Sequence, residues 1–132
     1  MLVVDASVAV KWIIDEVGSE AARALLLEGA DLRAPTLLLV EVHTPLAKRF
    51  NRREIAFNQL ADAIHYLRTV VALLALDDQS VHAAWQISLR ANLRPGAVLS
   101  TTETHAFSIY DSIYIAAALD LDAPLVTADT KQ

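Results

Sequence analysis

The sequence predicts an α/β fold built on a short parallel sheet. Short apolar runs typical of buried strands alternate along the chain with longer segments whose apolar residues recur at helical spacing. Strands that are separated by helices pair in parallel, because each crossover returns the chain to the same end of the sheet. At 132 residues the chain is predicted to be one domain with its own core.

Four apolar runs are predicted to be strands. They are Leu2–Val4, Leu32–Pro35, Val70–Leu76 and Leu125–Ala128. The third is continuously apolar, which is typical of a strand that is buried on both faces of a parallel sheet.

Six segments are predicted to be helices, and the third and fourth form a helical hairpin. They are Val8–Ile14, Ser19–Glu28, Thr36–Phe50, Asn51–Val71, Asp77 or Asp78 to Ala91, and Ser112–Leu121. Trp85 is predicted on the buried side of the fifth helix. The segment between Asn92 and Ile109 has no clear period and exceeds an ordinary loop, which favours a functional or a disordered segment.

Composition limits the possible chemistry and location. Without cysteine, a metal site would use oxygen or imidazole ligands. Although 55% of the residues are hydrophobic, no apolar run is long enough to span a membrane, and Asp5 interrupts what would be the core of a signal peptide. We therefore expect a soluble, cytoplasmic protein. The net charge of −5 argues against a broad basic surface, so any contact with RNA must be local.

Two acidic residues follow predicted strands. Asp5 comes directly after Leu2–Val4, and Asp129 directly after Leu125–Ala128. Parallel strands end at one edge of the sheet, where ligands bind in open α/β folds. Ser7 and Thr127 would add hydroxyls beside these carboxylates. Alternatively, Asp5 or Ser7 only caps the helix that follows.

Two further acids are predicted at or near the same edge. Asp111 stands at the start of an apolar helix, where it could also be an ordinary helix cap. Glu41 stands inside an apolar helical run, and a glutamate there needs a partner, either a cation or solvent reached by its long side chain. Pro45 removes the helical hydrogen bond to the Glu41 carbonyl, which predicts a kink.

Four carboxylates in a small volume would repel one another unless a divalent cation compensates their charge. Hard oxygen ligands favour Mg²⁺ or Mn²⁺. Such a site predicts metal-assisted hydrolysis of phosphodiester bonds.

The motifs in chain order resemble those of a known family. DAS followed by VAVKW, VEV on a helix, YDSIYIAAAL and LVTAD are similar to the motifs of PIN-domain ribonucleases, and most of all to VapC-type toxins of toxin–antitoxin pairs. The resemblance implies a three-layer fold with a short parallel sheet flanked by helices. It also implies an endoribonuclease that uses Mg²⁺ or Mn²⁺, a homodimer, and inhibition by an antitoxin whose tail enters the acidic groove.

The resemblance assigns roles to residues of this chain. Its acidic positions fall on Asp5, Glu41, Asp111 and Asp129, with Ser7 as a supporting hydroxyl. Asp5 and Asp111 would be the firmest metal ligands, joined by Asp129.

The sequence departs from the family pattern in three places. Thr44 stands where the family usually has asparagine, and the loop before Asp111 is longer than usual. The sequence also stops three residues after Asp129, so the usual closing helix and strand are expected to be short or missing. These departures keep open an alternative, a PIN-like binding module with weak or no nuclease activity.

A twofold dimer is also predicted from the apolar helices between Thr36 and Val71. A domain of this size has little room to bury so much apolar surface. Tyr114 is expected either in the core or near this interface.

Overall fold

A computed structural model describes residues 1–92 and 108–129 of the chain, and these form a parallel four-stranded sheet flanked by helices. The strands are β1 (Leu2–Val4), β2 (Leu32–Pro35), β3 (Ala72–Leu74) and β4 (Leu125–Val126). The helices are α1 (Ala6–Ile13), α2 (Ser19–Leu27), α3 (Leu37–Asn51), α4 (Phe57–Val70), α5 (Asp78–Asn92) and α6 (Ile109–Asp120). The predicted α/β class and its parallel sheet are therefore confirmed.

The order of the strands creates a natural place for a ligand. The sheet runs β3-β2-β1-β4, with Leu2 paired to Leu32 and Val3 paired to Leu125. The chain thus proceeds outward from β1 to β3 and then returns to the other side of β1. At such a reversal of strand order, a crevice opens beyond the carboxyl ends of the two strands. Here that crevice lies between the ends of β1 and β4.

Strand β1 is the centre of the core. Val3 and Val4 point to opposite faces of the sheet, and both are fully buried. The main core joins β1 and β2 to α1, α3 and α4 through residues such as Leu38 and Leu67. A smaller apolar cluster, made of Ala84, Ile113 and Ala116, joins α5 to α6.

Two sequence-based predictions about burial are wrong. Strand β3 lies at the edge of the sheet, and its Ala72 is exposed. The apolar run Val70–Leu76 predicted a longer, fully buried strand. Val70 is instead the last residue of α4, so only part of the run belongs to the strand. Trp85 is 60% exposed, because α5 packs on α6 through the small residue Ala84 and the next side chain along the helix turns away.

Several boundaries also differ from the predicted ones. Helix α6 begins at Ile109 and α1 at Ala6, each before the predicted residue. Helix α3 continues through Pro45 to Asn51, and a turn at residues 52–56 separates it from α4. The aperiodic segment between Asn92 and Ile109 falls almost entirely outside the described residues. Within the described parts, no helix combines the length and apolar character needed to cross a membrane.

Candidate active site at the carboxyl edge of the sheet

Asp5 is fixed by the start of α1. It follows β1 directly, has an extended backbone and caps the helix, its Oδ1 accepting from the Val8 amide at 3.2 Å. The Ser7 hydroxyl donates to the same oxygen at 2.5 Å. Asp5 therefore caps α1, which is one of the two alternatives that the sequence predicts. Both hydrogen bonds use one carboxylate oxygen, so capping leaves the other available.

Ser7 connects the beginning of the chain to β4. Its hydroxyl accepts from the Ala128 amide at 2.8 Å and lies 3.4 Å from Thr127 Oγ1. Thr127 Oγ1 in turn accepts from the Asp129 amide at 3.1 Å. Asp129 is exposed and lies beyond the end of β4, because the strand ends at Val126 rather than at Ala128.

Glu41 is half-buried on α3, and its side-chain partner within the described ranges is a tyrosine. The hydroxyl of Tyr114 donates to Glu41 Oε2 at 2.5 Å. Burial raises the pKa of Glu41, the bond from Tyr114 acts against that rise, and the charges of Asp111 and Asp5 add to it. Burial also raises the pKa of Tyr114, and its bond to Glu41 raises it further, so the tyrosine stays a neutral donor.

Asp111 lies in the first turn of α6 but is not its cap. Ser108 is the cap, and its hydroxyl accepts from the Asp111 amide at 3.1 Å. Asp111 Oδ2 accepts from the Ser108 amide at 3.2 Å and from the Ser108 hydroxyl at 2.9 Å. This reciprocal capping box holds the side chain against the helix start.

The three carboxylates of Asp5, Glu41 and Asp111 share one arrangement. Each has one oxygen held by hydrogen bonds: Asp5 Oδ1, Glu41 Oε2 and Asp111 Oδ2. Among the described residues, the second oxygen of each has no hydrogen-bond partner. An oxygen with neither a partner nor contact with solvent would be buried and unsatisfied, and among the described side chains Ser112 Oγ is the one polar atom of that kind. The three unpartnered carboxylate oxygens are therefore in contact with solvent. The carboxylates are thus oriented by the protein and still able to bind a ligand.

Comparison with known proteins identifies the fold. The sequence matches the PIN domain family over residues 2–132. The chain belongs to the PIN domain family. This PIN domain is also similar in structure to VapC20 of Mycobacterium tuberculosis, a sarcin–ricin loop cleaving toxin. The TM-score is 0.73 at 17% sequence identity, over 98% of this chain and 90% of that chain, which shows a shared fold. No protein of curated function matches.

The acidic edge of this PIN domain has the donor chemistry of a hard-cation site. In residues 1–92 and 108–129, no three histidine or acidic side chains lie close enough to form a metal cluster. Mg²⁺ commonly uses one or two carboxylates and keeps several waters, so a complete protein cluster is not required. Asp5 and Asp111 fit this mode, because each presents one open oxygen and is oriented through the other.

A cavity lies elsewhere in the PIN domain. It has a volume of about 470 Å³ and lies between α5, α6 and the end of β3, lined by residues such as Leu74, Ser80 and Ala117. It contains none of the predicted site residues. The predicted site residues therefore lie outside this cavity.

Two residues of the site were not recognised in the sequence. Ser108 orients Asp111, and Tyr114 holds Glu41. Tyr114 stands three positions after Asp111, a spacing that puts both on one side of a helix, and this was the available signal. Its pairing with Glu41, 73 positions away, depends on the tertiary fold.

Proposed function

We propose that this PIN domain is an endoribonuclease, the toxin of a toxin–antitoxin pair, that hydrolyses RNA phosphodiester bonds with Mg²⁺ or Mn²⁺. The observation that carries the proposal is the set of three oriented carboxylates, Asp5, Glu41 and Asp111, at the carboxyl edge of the sheet. Membership of the PIN family and the shared fold with VapC20, a sarcin–ricin loop cleaving toxin, support it.

Asp5 and Asp111 are the proposed cation ligands, with Asp129 as a third ligand from the segment after β4. A divalent cation, when bound, supplies a Lewis acid for the phosphoryl oxygen and lowers the pKa of a water. Ser7 keeps Asp5 oriented and also holds the backbone at Ala128 beside it. The Thr127 hydroxyl lies beside that of Ser7 and accepts from the Asp129 amide, so it connects Ser7 to Asp129.

Glu41 is the proposed general base for the attacking water. A base works best when its pKa is near the working pH, and partial burial with two acidic neighbours moves the pKa of Glu41 upward. Its bond to the neutral Tyr114 hydroxyl leaves the negative charge in place.

The proposed partners are an RNA substrate, a cognate antitoxin and a second copy of the chain, and the proposed location is the cytoplasm. An antitoxin tail would enter the open acidic edge. A second candidate function is a PIN-like binding module, favoured by the absence of a complete acidic cluster in the described part of the chain.

An RNA-cleavage assay on mixed cellular RNA tests the proposal. The parent, Asp5→Asn and Asp62→Asn are compared in Mn²⁺ and in EDTA. Asparagine caps a helix as well as aspartate does and can accept from Ser7, so Asp5→Asn should fold normally while losing ligand charge. We expect cleavage and Mn²⁺ affinity to fall together, by about 100-fold or more, since even residues behind the ligands contribute 10- to 100-fold.

Asp62→Asn is the matched control, because it makes the same change at an exposed position on α4 and should cleave like the parent. Cleavage that persists in EDTA, or an Asp5→Asn protein as active as the parent, would reject the metal-nuclease proposal. A parent that cuts no RNA but binds a partner peptide tightly would favour the binding module.

A further inference from the structure

Tyr114 has two different environments at its two ends. Its side chain is 3% exposed and belongs to the main core, although most of α6 faces the smaller cluster. Its hydroxyl emerges at the acidic edge, where it donates to Glu41 Oε2. The ring is therefore fixed by packing, and the hydroxyl is a donor with a set position.

The hydroxyl joins two parts of the site that come from distant parts of the chain. Glu41 lies on α3 and Tyr114 on α6, one turn after Asp111. The charges of Glu41 and Asp5 both raise the pKa of Tyr114, so both carboxylates are within electrostatic range of its hydroxyl.

The Tyr114 hydroxyl is a neutral donor, so it can orient the Glu41 carboxylate without offsetting its charge. An arginine or lysine at this place would pair with Glu41 and offset its charge. In the described ranges, the ion pairs of the chain leave Glu41 out, and its bond from Tyr114 is neutral. Glu41 thus keeps a negative charge, one anchored oxygen and one open oxygen.

We propose that Tyr114 is a positioning residue that holds the Glu41 carboxylate at the acidic edge in the orientation that RNA hydrolysis requires. The kinetic part of this inference rests on the proposed nuclease function. Displacement of a reacting group by about 1 Å can cost up to about 100-fold in rate, so loss of one well-placed donor should be visible in kcat.

The test uses Tyr114→Phe, with Tyr110→Phe as its matched control. Tyr110 is on the same helix but 54% exposed, so its variant removes the same oxygen away from the site. We expect Tyr114→Phe to lower kcat by about tenfold or more, with KM within about twofold of the parent and thermal unfolding still cooperative. Tyr110→Phe should match the parent.

A double-mutant cycle separates positioning from general structural support. If Tyr114 acts through Glu41, Tyr114→Phe should cost nothing further in a Glu41→Gln background. A full additional loss there would overturn the inference. Glu41→Asp is a second test, because the shorter side chain moves the carboxylate away from an unchanged Tyr114. A cleavage rate for Glu41→Asp that equals the parent rate would also overturn the inference.

A crystal structure of Tyr114→Phe gives a readout that does not depend on activity. We expect the Glu41 carboxylate to leave its place or to occupy several rotamers, and an unmoved Glu41 would contradict the inference. If the parent cleaves no RNA, the nuclease proposal fails, and this structure alone decides whether Tyr114 positions Glu41.

Discussion

At the scale of single residues, Glu41 is placed where its charge costs folding free energy. Its folded pKa is raised above the ordinary value of 4.5, mainly by burial. The folded state therefore holds a proton that the unfolded state releases earlier as pH rises. The contribution of Glu41 to stability is therefore fully present below pH 4.5 and is lost as pH rises through the raised pKa.

This cost predicts the behaviour of Glu41→Gln. In EDTA at pH 7 the variant should unfold a few degrees above the parent, because it has no charge to desolvate and can still accept from Tyr114. The difference should disappear below pH 4.5, where the parent carboxyl is protonated. Thermal unfolding followed by circular dichroism across this pH range measures it.

Glu28→Gln, at an exposed position after α2, is the control and should track the parent at every pH. A Glu41→Gln protein that is less stable than the parent at pH 7 would show that Glu41 is stabilising in its ionised form.

The acidic residues were predictable from sequence to the extent that their positions are local. Asp5 and Asp111 stand beside a strand end and a helix start, which short-range pattern reveals. The partner of Glu41 was not predictable, because Tyr114 is an apolar-face residue by pattern and only the packing of α6 brings its hydroxyl to α3.

At the scale of elements, α4 begins without a side-chain cap. Ala56 occupies the cap position with an extended backbone, while Gln59 Oε1 accepts from its amide at 2.7 Å. Half of a capping box is therefore present, and the hydroxyl that would complete it is missing.

Ala56→Ser should complete this box, its hydroxyl replacing Asn58 Oδ1 as the acceptor for the Gln59 amide, and stabilise the protein by up to about 1 kcal/mol. Ala61→Ser, at an exposed position inside the same helix, is the control and should lose a few tenths of a kcal/mol through lower helix propensity. Urea unfolding of the three proteins gives both differences. Equal shifts for the two substitutions would show that the start of α4 is not limited by capping.

The elements also show which patterns were informative. Every predicted helix and strand is present in the described chain, because periodicity and apolar runs record local burial. The place of a strand within the sheet is a property of topology, so the apolar run at Val70–Leu76 did not reveal that β3 is an edge strand.

At the scale of the whole molecule, the described chain leaves apolar side chains uncovered on its third and fourth helices. Tyr114, one candidate for an interface, is instead buried within the chain. Val40 and Phe57 remain 67% and 69% exposed, and Phe50 packs edge-on against Phe57 at a ring distance of 6.3 Å. These exposed apolar side chains are the ones that a second copy would cover under the proposed function.

We therefore expect a dimer at tens of micromolar protein by light scattering. Phe57→Glu should shift the population to monomer, because a charge would be buried without a partner. Trp85→Glu, which alters another exposed aromatic residue on α5, should remain dimeric. A parent that is monomeric at this concentration would contradict the expectation.

The bond between Ser7 and Ala128 has a consequence for the timing of synthesis. Strand β1 leaves the ribosome first among the described elements, followed by Asp5, Ser7 and α1, and the β4 segment that Ser7 holds leaves last. Until β4 pairs with β1, the crevice between them has one wall. A nascent chain thus carries Asp5 without the surface that completes the site until β4 has been synthesised. The acidic edge is therefore completed only after β4 has been synthesised and has paired with β1.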